Sequence, residues 1–401
     1  MKSIFIAAGE SSGERYGADI IREFQKMSPL CSFFGIGGKQ MKAAGVEIIL
    51  PIEELSAVGI FEVLARLLHF RKIFHRLGRE VEARKPTAAM LIDSPDFNLR
   101  LARKLKKCGI PVLYYISPTV WAWRSGRLKT IKKFVDQMLL IFPFEVGIYA
   151  DHGIPASFVG HPLKHKVKVQ LSRAEFQDKH GLPAGEKLIS LLPGSRPTEL
   201  KNHLSVLLEA VRRMKDGVQA RFLLLLAENI NPGLIARYLR QVGEPVQVLS
   251  EDHYEAIAYS EIALSACGTA NLEVALIGTP LIAFYRVSPL TYYPFRRLVK
   301  IHNYSIVNIL AGKTVVPELI QSRFTATRLT EMTRIILSSE QKKAAMRAEF
   351  KRIKENLGEA RAAENAAREL ERIIVRQSDP SAAQIRGGHT DAGCAARPFR
   401  S

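Results

Sequence analysis

Leu264-Ser-Ala-Cys-Gly-Thr-Ala-Asn-Leu-Glu-Val-Ala-Leu-Ile-Gly-Thr-Pro-Leu-Ile-Ala-Phe284 reads as a buried strand, a glycine turn, a short helix and a second strand. Gly268 lets the backbone approach a ligand closely, and Thr269 and Ala270 begin a helix whose unpaired N–H groups favour an anion. Glu273 lies one turn inside, where a carboxylate can accept hydrogen bonds from ribose hydroxyls, and Gly278-Thr279-Pro280 releases the chain into the next strand. A nucleotide diphosphate fits this pattern, and so does an ordinary capped βαβ corner. The segment Lys187-Leu-Ile-Ser-Leu-Leu-Pro-Gly-Ser-Arg-Pro-Thr-Glu199 favours the nucleotide. It is another buried strand ending in a small-residue turn, with Ser195 and Arg196 ahead of a helix from about Glu199 to Arg213. Ligands of open α/β sheets lie beyond the carboxyl ends of the strands, so Arg196 and the Gly268 turn could grip one diphosphate. The plain alternative for Arg196 is a helix-start arginine in solvent.

Strands and helices alternate outward from these segments. The first part predicts strands at Ile4–Ala8, Ser32–Ile36, Ala88–Ile92, Val112–Ile116 and Met138–Phe142, with helices at Arg15–Lys26, Gln40–Ala44 and Leu99–Lys107 between them. Phe158-Val-Gly-His-Pro162 reads as the last strand and exit, and the stretch to about Gln170 as a linker. Strands near Ile189, Phe222, Val246, Ile262 and Leu281 repeat the pattern. The expectation is an α/β chain of two Rossmann-like doubly wound domains, 1–163 and 171–340, facing a crevice. Helices follow at Arg328–Leu337 and Gln341–Val375, and residues 377–401 are too polar to pack and should be disordered.

With 401 residues and 47% apolar content, the chain can build two cores. Cys31, Cys108, Cys267 and Cys394 form no CxxC or Cys/His cluster, which argues against disulfides and zinc and for a reducing compartment. No apolar run reaches the roughly 18 residues of a bilayer span, and Ser3–Ala8 is too short for a signal segment. A formal charge of +19 calls for nucleic acid, anionic lipid or a phosphorylated substrate. Nucleic acid is disfavoured, since no helix-turn-helix, RRM, KH or finger pattern is present and the basic residues form no aromatic-interleaved stripe.

Gly9-Glu10-Ser11-Ser12-Gly13-Glu14 follows the first strand and opens a helix. Glu10, Ser11 and Ser12 could bond sugar hydroxyls or a phosphate, or simply cap the helix. Asp93-Ser-Pro-Asp96-Phe-Asn98 places a carboxylate at a strand end. Asp93 is the candidate general base and Asp96 the candidate helix cap. Ser117-Pro-Thr-Val-Trp-Ala-Trp123 carries both tryptophans, as a sugar or acyl platform or as core. His161 is either a crevice residue or a buried, satisfied histidine.

In order and spacing these motifs, with Tyr304-Ser-Ile-Val-Asn-Ile-Leu-Ala-Gly312, resemble the lipid-A-disaccharide synthase family from about Ser3 to Leu370. The resemblance implies an inverting glycosyltransferase of the GT-B fold. Its substrates would be UDP-2,3-diacylglucosamine and 2,3-diacylglucosamine 1-phosphate (lipid X), its products the β-1,6 disaccharide of lipid A and UDP. It implies Asp93 as the essential carboxylate, Arg196, Glu273 and Asn308 as nucleotide-side contacts, and Glu10 and Ser11 on the acceptor or sugar side. It further implies that a helix spanning 341–376 returns to the N-terminal domain. The family commonly has aspartate at Glu14 and alanine at Ser94 and Asn271. The first departure leaves Glu14 without an assigned role, and the others are expected to be tolerable at a loop and a helix surface.

The expected reaction is a single displacement in which Asp93 takes the proton of the acceptor 6-hydroxyl, while Ser195, Arg196, Gly268 and Thr269 hold the leaving UDP. No DxD occurs, so neither a metal nor another cofactor is implied. Ile60–Leu77 carries Phe61, Val63, Leu64, Leu67, Leu68 and Phe70, which Arg66, Arg71, Lys72, Arg76 and the following Arg79 surround with positive charge. It is expected to dock on the anionic cytoplasmic face of the inner membrane, the alternative being an amphipathic helix of the core. A homodimer is left open. The rival readings are another UDP-sugar GT-B enzyme or epimerase, and a basic RNA- or membrane-binding protein on an inactive scaffold.

Overall fold

A computed structural model describes residues 2–56, 63–121, 126–215, 217–227, 230–231, 233–240, 246–288, 303–358 and 361–378. The chain divides into two compact units, residues 1–162 with 359–401 and residues 163–358.

The first unit is built on β1 (Ser3–Ala8), β2 (Ser32–Gly37), β3 (Val46–Pro51), β4 (Ala88–Ile92), β5 (Val112–Tyr115), β6 (Gln137–Leu140) and β7 (Ala156–Phe158). All are parallel, in the order β3-β2-β1-β4-β5-β6-β7. Helices cover both faces, which is why the central strands read as unbroken apolar runs: all five residues of β4 are buried. The order reverses between β1 and β4, whose last residues Ala8 and Ile92 are paired. The turns after these strands therefore leave the sheet side by side, at its topological switch point. Gly9 is what lets them touch, since a Cβ there would lie 2.1 Å from Ser94 Oγ.

The second unit repeats the plan with β8 (Leu188–Leu192), β9 (Arg221–Leu225), β10 (Val246–Leu249), β11 (Ser260–Ala266), β12 (Leu281–Tyr285) and β13 (Glu318–Ile320), ordered β10-β9-β8-β11-β12-β13. Its switch point lies between β8 and β11, where Leu192 pairs with Ser265. The sequence reading missed β3 and β13. Both are edge strands, and β13 is three residues long, too short to show a period.

Three boundaries differ from expectation. The stretch 163–170 is not a linker: the backbone N–H groups of Gln170 and Leu171 donate to the buried Glu255 of the second unit, at 2.7 and 3.3 Å. The expected single helix over 341–376 is two. Glu340–Asn356 stays with the second unit, burying Met346, Phe350 and Ile353 and packing on the Thr269–Ile277 helix. Gly358, at φ 73°, takes the left-handed turn that ends it. Only Ala362–Ser378 joins the first unit, where Ala366, Ala367, Leu370 and Ile374 enter the core and Asn365 Nδ2 donates to Val159 O at 3.1 Å. Third, the 377–401 tail begins late, because the helix runs through Ser378; residues 379–401 lie outside those described.

Phe61 lies outside the described residues, as do the side chains of Val63, Leu64, Leu67 and Phe70 on the helix Val63–Arg84. Beyond them the helix belongs to the core. Ile73, Phe74, Leu77 and Val81 are buried, Phe74 stacks on Phe97 with centroids 5.0 Å apart, and Arg71, Lys72, Arg76 and Arg79 are exposed. The C-terminal part of Ile60–Leu77 is thus an amphipathic core helix with a solvated basic side, because its apolar positions recur at helical spacing. Among the described residues no helix is long and apolar enough to cross a membrane, and no three His, Cys, Asp or Glu side chains are grouped to hold a metal.

Candidate active site

In the first unit the chain after β4 bends in an unusual way. Asp93 and Ser94 both adopt left-handed backbone, at φ 51° and 46°, a region costing about 1–3 kcal/mol for each non-glycine residue. Three hydrogen bonds hold Asp93 there. Its N–H donates to Tyr115 O at 3.0 Å, while its carbonyl accepts from Tyr114 Oη at 2.6 Å and Asn98 Nδ2 at 2.8 Å. Asn98 Nδ2 also donates to Ile92 O at 3.0 Å. Burial, reinforced by the nearby Asp93, holds the Tyr114 hydroxyl well above its usual range, so it keeps the proton it donates. The result is a half-buried carboxylate presented beyond the strand's carboxyl end.

Asp96 does not cap the following helix. Ser94 occupies the N-cap position of Pro95–Lys107, and the exposed Asp96 pairs with Arg127 Nη2 at 2.5 Å. Across the switch point Glu10 is exposed at the N-cap of Ser11–Met27 without bonding that helix start through its side chain, and Ser12 is half-buried. The Ser11 side chain lies outside the described residues. Glu14 has a role that the sequence reading missed: buried, its Oε1 accepts from Gln40 N at 2.7 Å and Met41 N at 3.5 Å, tying the first helix to the turn after β2.

The ends of β5 and β6 carry a second group. Trp121, half-buried, donates from Nε1 to Glu145 Oε1 at 3.3 Å and meets Phe144 edge-on at 5.5 Å. Ser117 Oγ lies 2.8 Å from Tyr149 Oη. Glu145 is 2% exposed, and burial pushes its carboxyl up to about 7 despite hydrogen bonds from Ser117, Trp121 and the backbone at Phe142. His161, beside the Phe142 ring at 5.0 Å, is pushed down to about 3 by burial and so is neutral. Glu145 was not foreseen, because an acid at a helix start reads as an exposed cap until the burial is seen.

In the second unit Gly268 is the N-cap of Thr269–Ile277, and no side chain caps that helix start. Among the described residues, a Cβ on Gly268 would meet nothing within 4 Å, so the turn is open at this point. Thr269 is exposed there, and the half-buried Glu273 accepts from Tyr254 Oη at 3.2 Å. At the end of β8, Glu199 Oε2 accepts the N–H groups of Ser195 and Arg196 at 2.9 and 3.3 Å, and Oε1 accepts from Tyr285 Oη at 3.2 Å. Gly194, at φ 123°, makes room, since a Cβ would lie 2.5 Å from Glu199 Oε2. The turn is thereby folded around its own carboxylate, leaving the Arg196 side chain 62% exposed at the strand-end edge. His203 was also missed: fully buried, its Nδ1 lies 2.7 Å from Pro193 O and its Nε2 accepts Arg286 N at 3.0 Å, bracing the end of β8 against that of β12.

Asn308 is a correction. It is completely buried, with Nδ2 donating to Val316 O and Glu318 Oε1 at 2.8 and 2.7 Å and Oδ1 accepting from Val315 N and Val316 N at 2.7 and 2.9 Å. All four of its hydrogen-bonding positions are filled within the chain, so the side chain braces the loop and has no position free for a nucleotide. Asn271 is likewise buried, not on a helix surface. Like Asn98 it bonds the residues five and six positions before it, donating to Ser265 Oγ and Ala266 O at 3.0 and 2.9 Å, and among the described residues both asparagines leave Oδ1 without a partner.

Two Rossmann-like units, each with open turns at its switch point, define the GT-B fold, and solved structures agree. A UDP-GlcNAc 2-epimerase from Neisseria meningitidis superposes with a TM-score of 0.64 at 13% identity, covering 94% of this chain and 100% of that one. A calicheamicin glycosyltransferase gives 0.60 at 13% identity, covering 94% and 99%. Residues 4–372 match the family described as lipid-A-disaccharide synthetase. The lipid-A-disaccharide synthase of Geobacter metallireducens is 40% identical over 369 residues, 91% of this chain and 96% of that protein. The chain belongs to the lipid-A-disaccharide synthase family, and is a glycosyltransferase of lipid A biosynthesis.

Proposed function

We propose that the chain joins UDP-2,3-diacylglucosamine to lipid X with inversion at the anomeric carbon, and that Asp93 is its general base. The acceptor 6-hydroxyl attacks the anomeric carbon, its proton passes to the Asp93 carboxylate, and the bond to the UDP oxygen breaks. The uncapped helix start at Gly268 and Thr269, with Ser195 and Arg196, takes the charge that develops on UDP, and Glu273 holds the ribose. Glu10, Ser11, Ser12 and Trp121 serve the acceptor or sugar side. The observation that carries this reading is the pinned left-handed backbone at Asp93: a strained conformation held by three hydrogen bonds has no structural use that a glycine would not serve better.

The test is UDP release with both acylated glucosamines. Asp93→Asn should abolish turnover while leaving UDP affinity unchanged, and a loss below tenfold would overturn the base assignment. Exhaustive chelation should leave the rate unchanged, since the helix start supplies the charge a metal would otherwise bring.

The chain's place is proposed as the anionic cytoplasmic face of the inner membrane, through Phe61, Val63, Leu64, Leu67 and Phe70. The exposed Arg71, Lys72, Arg76 and Arg79, continued by Arg103 and Lys107 on the helix packed beside them, support it. Serine at Phe61, Leu64, Leu67 and Phe70 should cut binding to anionic vesicles with fold and UDP binding kept. Unfolding instead would assign those residues to the core. Sedimentation of the same samples tests for a homodimer.

A further inference from the structure

The reaction above makes no use of the most buried carboxyl in the first unit. Glu145 opens the helix Glu145–Asp151 just after β6, on the same strand-end edge as Asp93. Its Oε1 receives the Trp121 indole, whereas Oε2 is buried with no hydrogen-bond partner among the described residues. An unsatisfied buried oxygen lowers stability, and an apolar side chain would fill the place without that penalty. Such a group persists where its polarity is used, and the side chains that bond it, Ser117 and Trp121, both lie on the segment that follows β5.

We propose that Glu145 is a positioning residue for Trp121: its carboxyl fixes the indole on the acceptor side, and ionisation of that carboxyl tightens the hold. The inference rests on the reading of Trp121 as an acceptor-side residue. An ionised oxygen is a stronger acceptor for the indole N–H than a neutral carboxyl. With burial moving the group to about 7, both forms are populated in the ordinary assay range.

Among the described residues, the groups facing Glu145 leave the titration to its carboxyl. From its own helix Glu145 faces Tyr149, whose hydroxyl is raised by burial and engaged with Ser117. From the β5 loop it faces Ser117 and Trp121, and from the turn after β6 the backbone at Phe142. His161, beyond the Phe142 ring, stays neutral down to about 3. None of these changes charge between pH 5.5 and 8.5. His152, exposed beyond the far end of the helix, bonds Ile148 O and not this group.

The chain has two tryptophans, so Trp123→Phe leaves Trp121 as its only indole and its emission as the probe. Emission should titrate with a midpoint near 7, and the KM for lipid X should fall roughly three- to tenfold as pH rises through it. UDP affinity should stay flat. Glu145→Gln keeps the shape and an acceptor oxygen but cannot ionise; it should abolish the emission midpoint and hold KM at its low-pH value. Persistence of the midpoint in Glu145→Gln overturns the proposal. If Glu145→Gln fails to fold, Trp121→Phe decides, because the KM must then lose the step near 7 and keep only the step of the substrate's own phosphate. Emission that titrates while KM stays flat overturns the acceptor-side role of Trp121, and leaves Asp93, tested by UDP release, untouched.

Discussion

Asn98→Leu separates the placement of Asp93 from the stability of the fold. Asn98 is fully buried and makes two bonds, to Ile92 O and Asp93 O at 3.0 and 2.8 Å, while its Oδ1 has no partner. Losing the two bonds costs about 1–3 kcal/mol, and removing an unsatisfied buried oxygen returns about 1–3 kcal/mol. Leucine keeps the branched outline but is the larger side chain, so overpacking adds about 1–3 kcal/mol and the net loss should be of that order. Activity should behave differently. The left-handed strain at Asp93 and Ser94, about 2–6 kcal/mol together, would be opposed by Tyr114 and the ladder bond to Tyr115 alone, and the backbone should relax towards the ordinary β region. A shift of about 1 Å in a reacting group costs on the order of a hundredfold in rate. The assays are melting temperature, calorimetric UDP affinity and UDP release. A modestly lowered melting temperature, unchanged UDP affinity and a rate down about a hundredfold are expected. A rate within threefold of the parent in a folded protein would refute the argument that Asn98 places Asp93.

Glu273→Ala should weaken UDP binding by roughly 1.5–3 kcal/mol, the cost of a lost charged hydrogen bond, and calorimetry showing no change would displace the ribose site. Ending the chain after Ser378 should leave the melting temperature unchanged, whereas ending it after Gly358 should unfold the first unit. The second cut uncovers Ala366, Ala367, Leu370 and Ile374, worth roughly 5–8 kcal/mol, comparable with the stability of a whole domain. Equal melting of the two truncations would contradict this. His161 and Glu145 should shape stability against pH with opposite signs. The depressed His161 contributes stability that is full above about 6.5 and lost as pH falls towards about 3; the raised Glu145 contributes stability that is full below about 4.5 and lost as pH rises through about 7. Denaturation profiles should therefore be nearly flat in their contribution between these limits, and His161→Phe should remove the acid-side slope.

The doubly wound class, the central strands and the turns bearing Asp93, Arg196 and Gly268 were legible in the sequence, since a strand buried on both faces writes itself as a continuous apolar run closed by a small-residue turn. The edge strands β3 and β13 were not, because half-covered or very short strands lack that signature. Gly358 was present in the sequence, but a lone glycine in an Ala-Glu-Lys-Arg helix does not say that the next segment packs on a different unit. That depends on which apolar surface is left uncovered, a property of the assembled core.

The side-chain roles divide in the same way. The family resemblance implied Asn308 as a contact and the proline turn marked Asp96 as a cap, yet the Asn308 side chain has no hydrogen-bonding position to spare and Asp96 is paired with Arg127. Glu14, Glu145, Asn98 and His203 could be assigned only after folding, because each bonds backbone or rings brought to it from another element. Sequence patterns carry local chemistry, the strand, the turn and the carboxylate at its end. Whether a polar group is exposed to bind or buried to hold depends on neighbours distant in the chain, and packing alone chooses those.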